Sequence, residues 1–466
     1  MDTKIIPLEG IFSPEEARDW EANIFRQVCS QAQKEATAYL QALDDALLSQ
    51  RPPEWVVIGF RERTLVTRFG KVRIRRRLYQ DPEGAYHFLL DEYLGLKAYQ
   101  AATPEMQAIC TTLAGHMSFR TAAGVLEEWL AGLLSHSSCW RLLQRTGQAA
   151  ICAEKEAVEA VFDRGELEPI TGERPVQRLY MEADGVHVRL QDQTKRHMEI
   201  RSAIAYEGWE RLPTQREAYR LSEKRVYCHA SKQFAFWEGV SLAWARKWDL
   251  TSIQDVILNG DGAKWIRTGV EQLPGAIWQL DGFHLARDCG RAFGAQAGRV
   301  IYRALREGRT KEAQGQMDQT PVREGKQAQR ASRWVTKVAQ ETWGLDWRIQ
   351  KGLPLNEARG LGSIEGNQAQ LLAKRMKDKG RSWSPAGAYN MAKVQELLTN
   401  DKIKSWCYQG KQLEKPSRRY DRRRRSTPID PGQWLQASVP ALHGPAANKP
   451  WTQWLRHKIH PPHLLN

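Results

Sequence analysis

Three carboxylates stand in local patterns that suit metal-assisted phosphoryl transfer. Asp184 lies in Glu182-Ala183-Asp184-Gly185-Val186-His187, Asp261 in Leu258-Asn259-Gly260-Asp261-Gly262-Ala263, and Glu365 in Ser363-Ile364-Glu365-Gly366-Asn367. The first two follow apolar, β-branched runs that read as buried strands, and the third opens a long helical pattern. All three acids are therefore expected to meet at one edge of a sheet. Hard divalent cations take oxygen ligands, and two ions about 3.5–4 Å apart clamp the attacking and leaving oxygens of an in-line displacement. The expected metal set is Asp184, Asp261 and Glu365, holding two Mg²⁺ or Mn²⁺ ions. Each acid also has a plain alternative. An isolated Asp-Gly is first of all a turn signal, so Asp184-Gly185 could be a hairpin tip. An acid at a helix N-terminus simply complements the macrodipole, which would account for Glu365.

Other residues surround this set. Asp281-Gly282-Phe283-His284 reads as an N-cap aspartate starting a helix. Asp281 and His284 are assigned a supporting role, since a Mg²⁺ site prefers oxygen to imidazole. His187 and Lys264 flank the two aspartates and are expected near substrate without being essential. Lys374, Arg375 and Lys377 follow Glu365 and would hold phosphates beside it. No covalent nucleophile is required, because a metal-activated water can attack a phosphodiester directly.

The elements that must position these groups are legible in outline. Ser13-Pro14-Glu15-Glu16 is a helix start with a capping box, followed by a stripe of Trp20, Ile24, Val28, Tyr39, Leu40, Leu43 and Leu47 up to Pro52. This stripe is expected to pack on its own domain or on a second subunit. Thr64–Tyr79 alternates Val72, Ile74 and Leu78 with Lys71, Arg73, Arg75 and Arg77 around Phe69-Gly70, a hairpin with one cationic face. Three short helices are expected to start at Thr103-Pro104, Ser118 and Ser135, with a turn at Gly132. This spacing resembles a helix-turn-helix, in which Arg141 and Arg145 would approach DNA. Strands are expected over 179–190, 197–206, 224–240, 255–258 and 276–280, with a helix over 239–249 between the third and fourth. A basic helical stretch separates Asp281 from Glu365. Near the end, Arg422, Arg423, Arg424 and Arg425 lie in a basic run expected to stick to DNA through counterion release. Domain boundaries read as 1–100, 101–172, 173–285, 286–355, 356–400 and 401–466.

Bulk composition points the same way. With 69 Lys and Arg against 54 Asp and Glu, the chain carries a formal charge of +15, which favours a polyanionic partner. Its 466 residues, 41% hydrophobic with 18 Trp, are enough to bury real cores and exclude a disordered basic tail protein. Seven scattered cysteines, never spaced C-x-x-C, argue against a disulfide framework or zinc ribbon. No run of about 18 apolar residues appears, so a soluble cytoplasmic protein without membrane partners is expected.

The runs around Asp184, Asp261 and Glu365, with Ala205-Tyr206-Glu207-Gly208-Trp209 and Gln279-Leu280-Asp281-Gly282-Phe283-His284, resemble the ISLre2 family of bacterial insertion-sequence transposases, also known as UPF0236. The likeness extends roughly from Leu65 to Met391. It implies an α/β protein with an RNase H-like mixed-sheet catalytic core and a helical insertion, preceded by a helical and β-hairpin DNA-binding region. It also implies a DDE transposase that binds terminal inverted repeats and target DNA as a homo-oligomer and is associated with the nucleoid. Two alternatives remain open: a transposase-derived DNA-binding protein without catalysis, and an RNase H-like nuclease that does not join strands.

Overall fold

The structure, a computed structural model, describes residues 19–408 apart from 99, 131–133, 167–171, 193, 195, 214–218, 231–234, 274, 355–358 and 378–379. The capping box at Ser13, the turn at Gly132 and the arginines at 422–425 lie outside the described residues. The chain divides into two units, one running to Thr146 and resuming at Asp401, the other spanning Gly147–Asn400. The dividing point falls inside one continuous helix rather than near residue 172.

In the first unit, helix α1 (Trp20–Leu47) leads to an antiparallel hairpin of β1 (Val56–Thr67) and β2 (Gly70–Gln80). Gly70 follows the turn with φ of 111°, a conformation that favours glycine. The buried side of β2, Val72 and Ile74, joins Leu65, Leu47, Leu90 and Leu96, with Ala36, Leu40 and Leu43 of α1 packed against them. Only the C-terminal half of the predicted α1 stripe is covered in this way, while Trp20, Ile24, Val28 and Tyr39 are exposed.

Helices α2 (Pro104–His116) and α3 (Phe119–Trp129) are capped by Thr103 and Ser118, whose hydroxyls accept from Met106 N at 3.3 Å and Thr121 N at 3.1 Å. The third helix, α4, is not short. It runs His136–Val158 for 23 residues and passes straight through Gly147.

The second unit is built on a five-stranded mixed sheet of β3 (Arg178–Arg189), β4 (His197–Tyr206), β5 (Arg225–His229), β6 (Asp255–Gly260) and β7 (Ala276–Leu280). Their spatial order is β7-β6-β3-β4-β5. The first three strands form an antiparallel meander, and β6 and β7 add in parallel on the other side of β3. β3 pairs with β4 without interruption from Tyr180 to Arg189, so Asp184-Gly185 lies inside a strand and the hairpin-tip alternative is excluded.

One sheet face carries Leu179, Met181, Ala183, Ala203 and Ala205. It packs against Trp237, Val240 and Trp244 of helix α5 (Phe236–Ala245) and Ile266 of helix α6 (Lys264–Gln272). Parallel strands covered on both faces need near-continuous apolar sequence, which β6 supplies in Val256, Ile257 and Leu258.

After β7 come helices α7 (Gly282–Phe293), α8 (Ala295–Arg306), α9 (Thr310–Gln319) and α10 (Lys326–Gln340), as the basic helical reading expected. They share a core of Leu285, Cys289, Ile301, Leu305, Val335 and Val338. The Glu365 segment is helical as expected: it runs unbroken from Ile364 to Met376 as α11 (Ile364–Gln368), a wider π turn at Ala369–Ala373 and a last turn at Lys374–Met376. Helix α12 (Pro385–Thr399) then starts afresh at a Ser384 cap. It lies so close to α4 that a Cβ on Gly147 would stand 2.4 Å from the Asn390 carbonyl oxygen.

Candidate functional site

Three neighbouring parallel strands bring a polar side chain to the same level: Asn259 of β6 pairs with Glu182 of β3 on one side and with Gln279 of β7 on the other. Two residues further along each strand stand Asp184, Asp261 and Asp281. Because side chains alternate across a sheet, both rows occupy the face opposite the apolar core. Asp261 and Asp281 lie just past their strands, but Asp281 N–H still donates to the Gly260 carbonyl at 2.7 Å and extends the alignment by one step.

The first row is fully buried and hydrogen-bonded from end to end. Tyr206 OH donates to Glu182 Oε1 at 2.7 Å, and Asn259 Nδ2 donates to Glu182 Oε2 at 3.0 Å and to Asp281 Oδ1 at 2.9 Å. Gln279 Nε2 donates to Asn259 Oδ1 at 2.8 Å, and Gln279 Oε1 accepts from Trp347 N at 3.0 Å. Glu182 also accepts from the backbone amides of Gly362, Ser363 and Ile364 at 3.0, 3.0 and 3.3 Å. Those amides lead directly into α11 and Glu365.

The second row holds the titratable groups. Burial, reinforced by the neighbouring charge of Asp261, pushes the Asp184 carboxyl up to about 6. Burial also opposes ionisation of Asp281, but hydrogen bonds from His284 and Asn259 outweigh it and hold this acid below the usual range. His284 faces Asp281 Oδ2 through Nδ1 at 3.0 Å and lies 3.4 Å from Glu365 Oε1. Although burial works against it, the Asp281 carboxylate keeps the His284 imidazole above its ordinary pKa. Glu365 Oε1 is buried without a hydrogen-bond partner, and burial together with the Asp281 charge pushes Glu365 up to about 7.

Of the three acids predicted as metal ligands, Asp184 feels the charges of Asp261, His284 and Asp281, and Glu365 lies beside Asp281 and His284. Among the described residues the potential ligand atoms that lie within 4.8 Å of one another are those of Asp281, His284 and Glu365, a group without Asp184 or Asp261. Asp281 and His284 are more central than their expected supporting role suggested.

The other expected site residues divide. Lys264 is exposed at the first turn of α6, whereas His187, three residues beyond Asp184 on a regular strand, is exposed on the opposite sheet face and is removed from the carboxylates' side. Lys374 and Lys377 are exposed, but Arg375 is buried with its guanidinium 5.4 Å from the Trp383 ring, and burial lowers its pKa to about 10. It is part of the packing and not a phosphate holder.

In the first unit Arg73 and Arg75 are exposed along β2, and Arg141 and Arg145 along α4. Arg77 is instead clasped by Asp44 and Asp45 of α1 at 2.7 Å each, because the strand lies against that helix. Sequence reasoning missed Glu182, Asn259, Gln279 and Tyr206. A signal for three of them was present: Glu182-Ala183-Asp184, Asn259-Gly260-Asp261 and Gln279-Leu280-Asp281 repeat a polar residue two positions before an aspartate at the ends of apolar runs.

A family model described as an uncharacterised protein family, UPF0236, matches residues 16–405. The chain is 25% identical over 367 residues to the "UPF0236 protein in vanSb 3'region" of Streptococcus gallolyticus, covering 76% of each chain. It is 24% identical over 369 residues to a UPF0236 protein of Caldanaerobacter subterraneus subsp. tengcongensis, covering 75% of this chain and 71% of that one. Another UPF0236 protein of the same organism, 24% identical over 364 residues, carries eleven locus designations in its name. With most of its length matched, this chain belongs to the UPF0236 family.

Proposed function

We propose that the protein is a DDE transposase of the ISLre2 type, with an RNase H-like core that cuts and joins DNA at terminal inverted repeats. The observation that supports the reading is that Asp184 and Asp261 neighbour each other on one face of a mixed sheet, with Asp281, His284 and Glu365 grouped beside them. The sheet's order is an antiparallel meander extended by two parallel strands on the far side of the first. Asp184 comes from the central strand, Asp261 from the end of its parallel neighbour, and Glu365 from a segment returning after a helical insertion.

The residues fit divalent cations. Glu365 Oε1 is buried without a donor, and Asp184 and Glu365 are both held above the ordinary carboxylate range by burial and by other acids. An added positive charge would relieve both conditions. Asp184, Asp261 and Glu365 would hold two Mg²⁺ or Mn²⁺ ions, with Asp281 and His284 adjacent. Such ions, when bound, neutralise the phosphodiester and lower the pKa of an attacking water or hydroxyl.

The chain's own contribution is orientation. Asn259 fixes Asp281, Asp281 fixes His284, and the Glu182 contacts hold the backbone that delivers Glu365. A charge of +15 suits double-stranded DNA as partner, with exposed Lys374 and Lys377 near Glu365 in sequence. A relative whose name spans eleven loci of one genome is what a copied mobile element leaves behind, which also supports the reading. A bacterial cytoplasmic, nucleoid-associated protein acting as a homo-oligomer on DNA follows from it. No helix among the described residues is long and apolar enough to cross a membrane.

The test is to incubate the protein with Mg²⁺ and DNA ending in the inverted repeats that flank its coding region. Nicking at the repeat ends and joined donor–target products are expected, both lost in Glu365→Gln. Cleavage without joined products would identify a nuclease, and repeat binding without cleavage a regulatory DNA-binding protein.

A further inference from the structure

We propose that Glu182 is a positioning residue that clamps the Gly362–Ile364 backbone to the central strand and thereby fixes Glu365 beside Asp281 and His284. Residues 182 and 363 are 181 positions apart in sequence, and the whole helical insertion lies between them. A carboxylate arriving from so far along the chain needs a local tether, and none of the Glu365 side-chain contacts supplies one. Its side chain has Asp281 and His284 for neighbours, one of like charge and the other 3.4 Å away, and neither holds the loop's backbone.

Glu182 supplies that tether. Both its oxygens face donors only: Tyr206 OH and Ser363 N at Oε1, and Asn259 Nδ2 with the amides of Gly362, Ser363 and Ile364 at Oε2. An ionised carboxylate is the group that accepts all of these together. Its side chain is fully buried and lies two residues before Asp184 on the same strand, so the strand that carries Asp184 also grips the loop that delivers Glu365.

The clamp is part of the fold whatever the reaction is, and only its consequence for cleavage rests on the transposase reading. The experiment therefore has one arm for each. Amide hydrogen exchange is measured on the full chain as wild type, Glu182→Gln and Tyr206→Phe. Glu182→Gln keeps the shape but weakens the charge-assisted bonds, so exchange at Gly362, Ser363 and Ile364 should accelerate by about tenfold or more, with the strands unaffected. Tyr206→Phe removes a hydroxyl that meets both Glu182 and the Ser363 side chain but leaves the Glu182 carboxylate in place, so those three amides should lose far less protection than in Glu182→Gln. Unchanged protection in Glu182→Gln, or equal loss in both variants, overturns the clamp.

In the second arm, Mn²⁺ is titrated into a cleavage assay on repeat-ended DNA. Glu182→Gln should raise the half-maximal metal concentration about tenfold while DNA affinity stays at the wild-type value, because Glu365 is no longer held at its post. An unshifted midpoint overturns the link from clamp to metal. A wild type that neither cleaves nor binds Mn²⁺ sinks the transposase reading, and the exchange data still decide the clamp.

Discussion

Asn259 ties Glu182 to Asp281: one amide nitrogen lies 3.0 Å from the first carboxylate and 2.9 Å from the second. The two acids are fully buried, and this shared donor stands between like charges that would otherwise face each other in low dielectric.

Asn259→Asp should therefore be among the most damaging single substitutions in the second unit. It exchanges the donor for a third buried acid, and a loss on the order of 3 kcal/mol is expected. Urea denaturation measures it. A loss under about 0.5 kcal/mol, the size of an ordinary surface change, would show that the two carboxylates do not depend on this donor.

Glu365→Gln should stabilise the metal-free protein at pH 8. Burial and Asp281 raise the Glu365 pKa from 4.5 to about 7, so the folded state binds a proton more tightly than the unfolded state. The sign follows: this group's stabilisation is full below 4.5 and is lost as pH rises through about 7. Above that range the ionised acid is a burden that glutamine lacks, worth on the order of 1–2 kcal/mol. Thermal unfolding at pH 8 and pH 5 tests this, with the gain expected at pH 8 only. Adding Mg²⁺ should stabilise the wild type more than the variant.

His87 gives the first unit a second pH dependence. Its ring stacks on Trp55 at 4.1 Å and contacts Asp81 at 2.9 Å and Glu92 at 3.3 Å. Burial opposes protonation, yet the two acids outweigh it and raise the His87 pKa above 6.5. The contribution is complete below 6.5 and disappears as pH rises through the raised value. With the ring partly exposed, a change of roughly 0.5 kcal/mol is expected. Asp81→Asn should bring the His87 titration, followed by NMR, back towards its ordinary midpoint. An unmoved midpoint would remove Asp81 from the cause.

Much of this was readable before any coordinates. Five strands were expected where apolar runs are bounded by polar residues, but the third ends at His229 and helix α5 already starts at Phe236. The placement of Asp184 within a strand and Asp261 just past one followed from where those runs lie, whereas the grouping of Glu365 with Asp281 and His284 did not. Side-chain partners were less legible. Arg77 and Arg75 belong to the same alternating row, and only the approach of α1 gives Arg77 its two aspartates. Arg375 sits in a basic cluster by sequence and is buried against Trp383 in space. The repeat of a polar residue two positions before Asp184, Asp261 and Asp281 is local, but its joining into one row of Glu182, Asn259 and Gln279 depends on the parallel register of three strands, which local pattern does not carry.

Two helical glycines should respond oppositely to alanine. A Cβ at Gly147 would stand 2.4 Å from the Asn390 carbonyl oxygen and 2.7 Å from its Cα, so α4 and α12 must separate, at a cost of about 1–3 kcal/mol. Gly124 in α3 has nothing within 4 Å of its added Cβ, and alanine there should gain up to about 1 kcal/mol in helix propensity. Denaturation midpoints of the two variants decide it. A Gly147→Ala protein as stable as wild type would mean that the close helix approach is not required.

On the proposed reading, the cationic hairpin should separate DNA binding from folding. Arg73 and Arg75 are exposed on β2, with Arg75 stacked over Phe60 at 4.5 Å, whereas Arg77 neutralises Asp44, whose side chain is only 1% exposed. Arg73→Ala with Arg75→Ala should leave stability near wild type and weaken binding to repeat and random duplexes alike. Each lost phosphate contact should flatten the slope of log K against log salt by about 0.9. Arg77→Ala should do the reverse, destabilising the protein by about 3 kcal/mol because it strands a buried acid, with the salt slope unchanged where the variant remains folded. Salt titrations and denaturation of both variants test the assignment. A flattened slope in Arg77→Ala, or an unaltered one in the double variant, would show that the ion pair with α1 does not decide which arginines meet DNA.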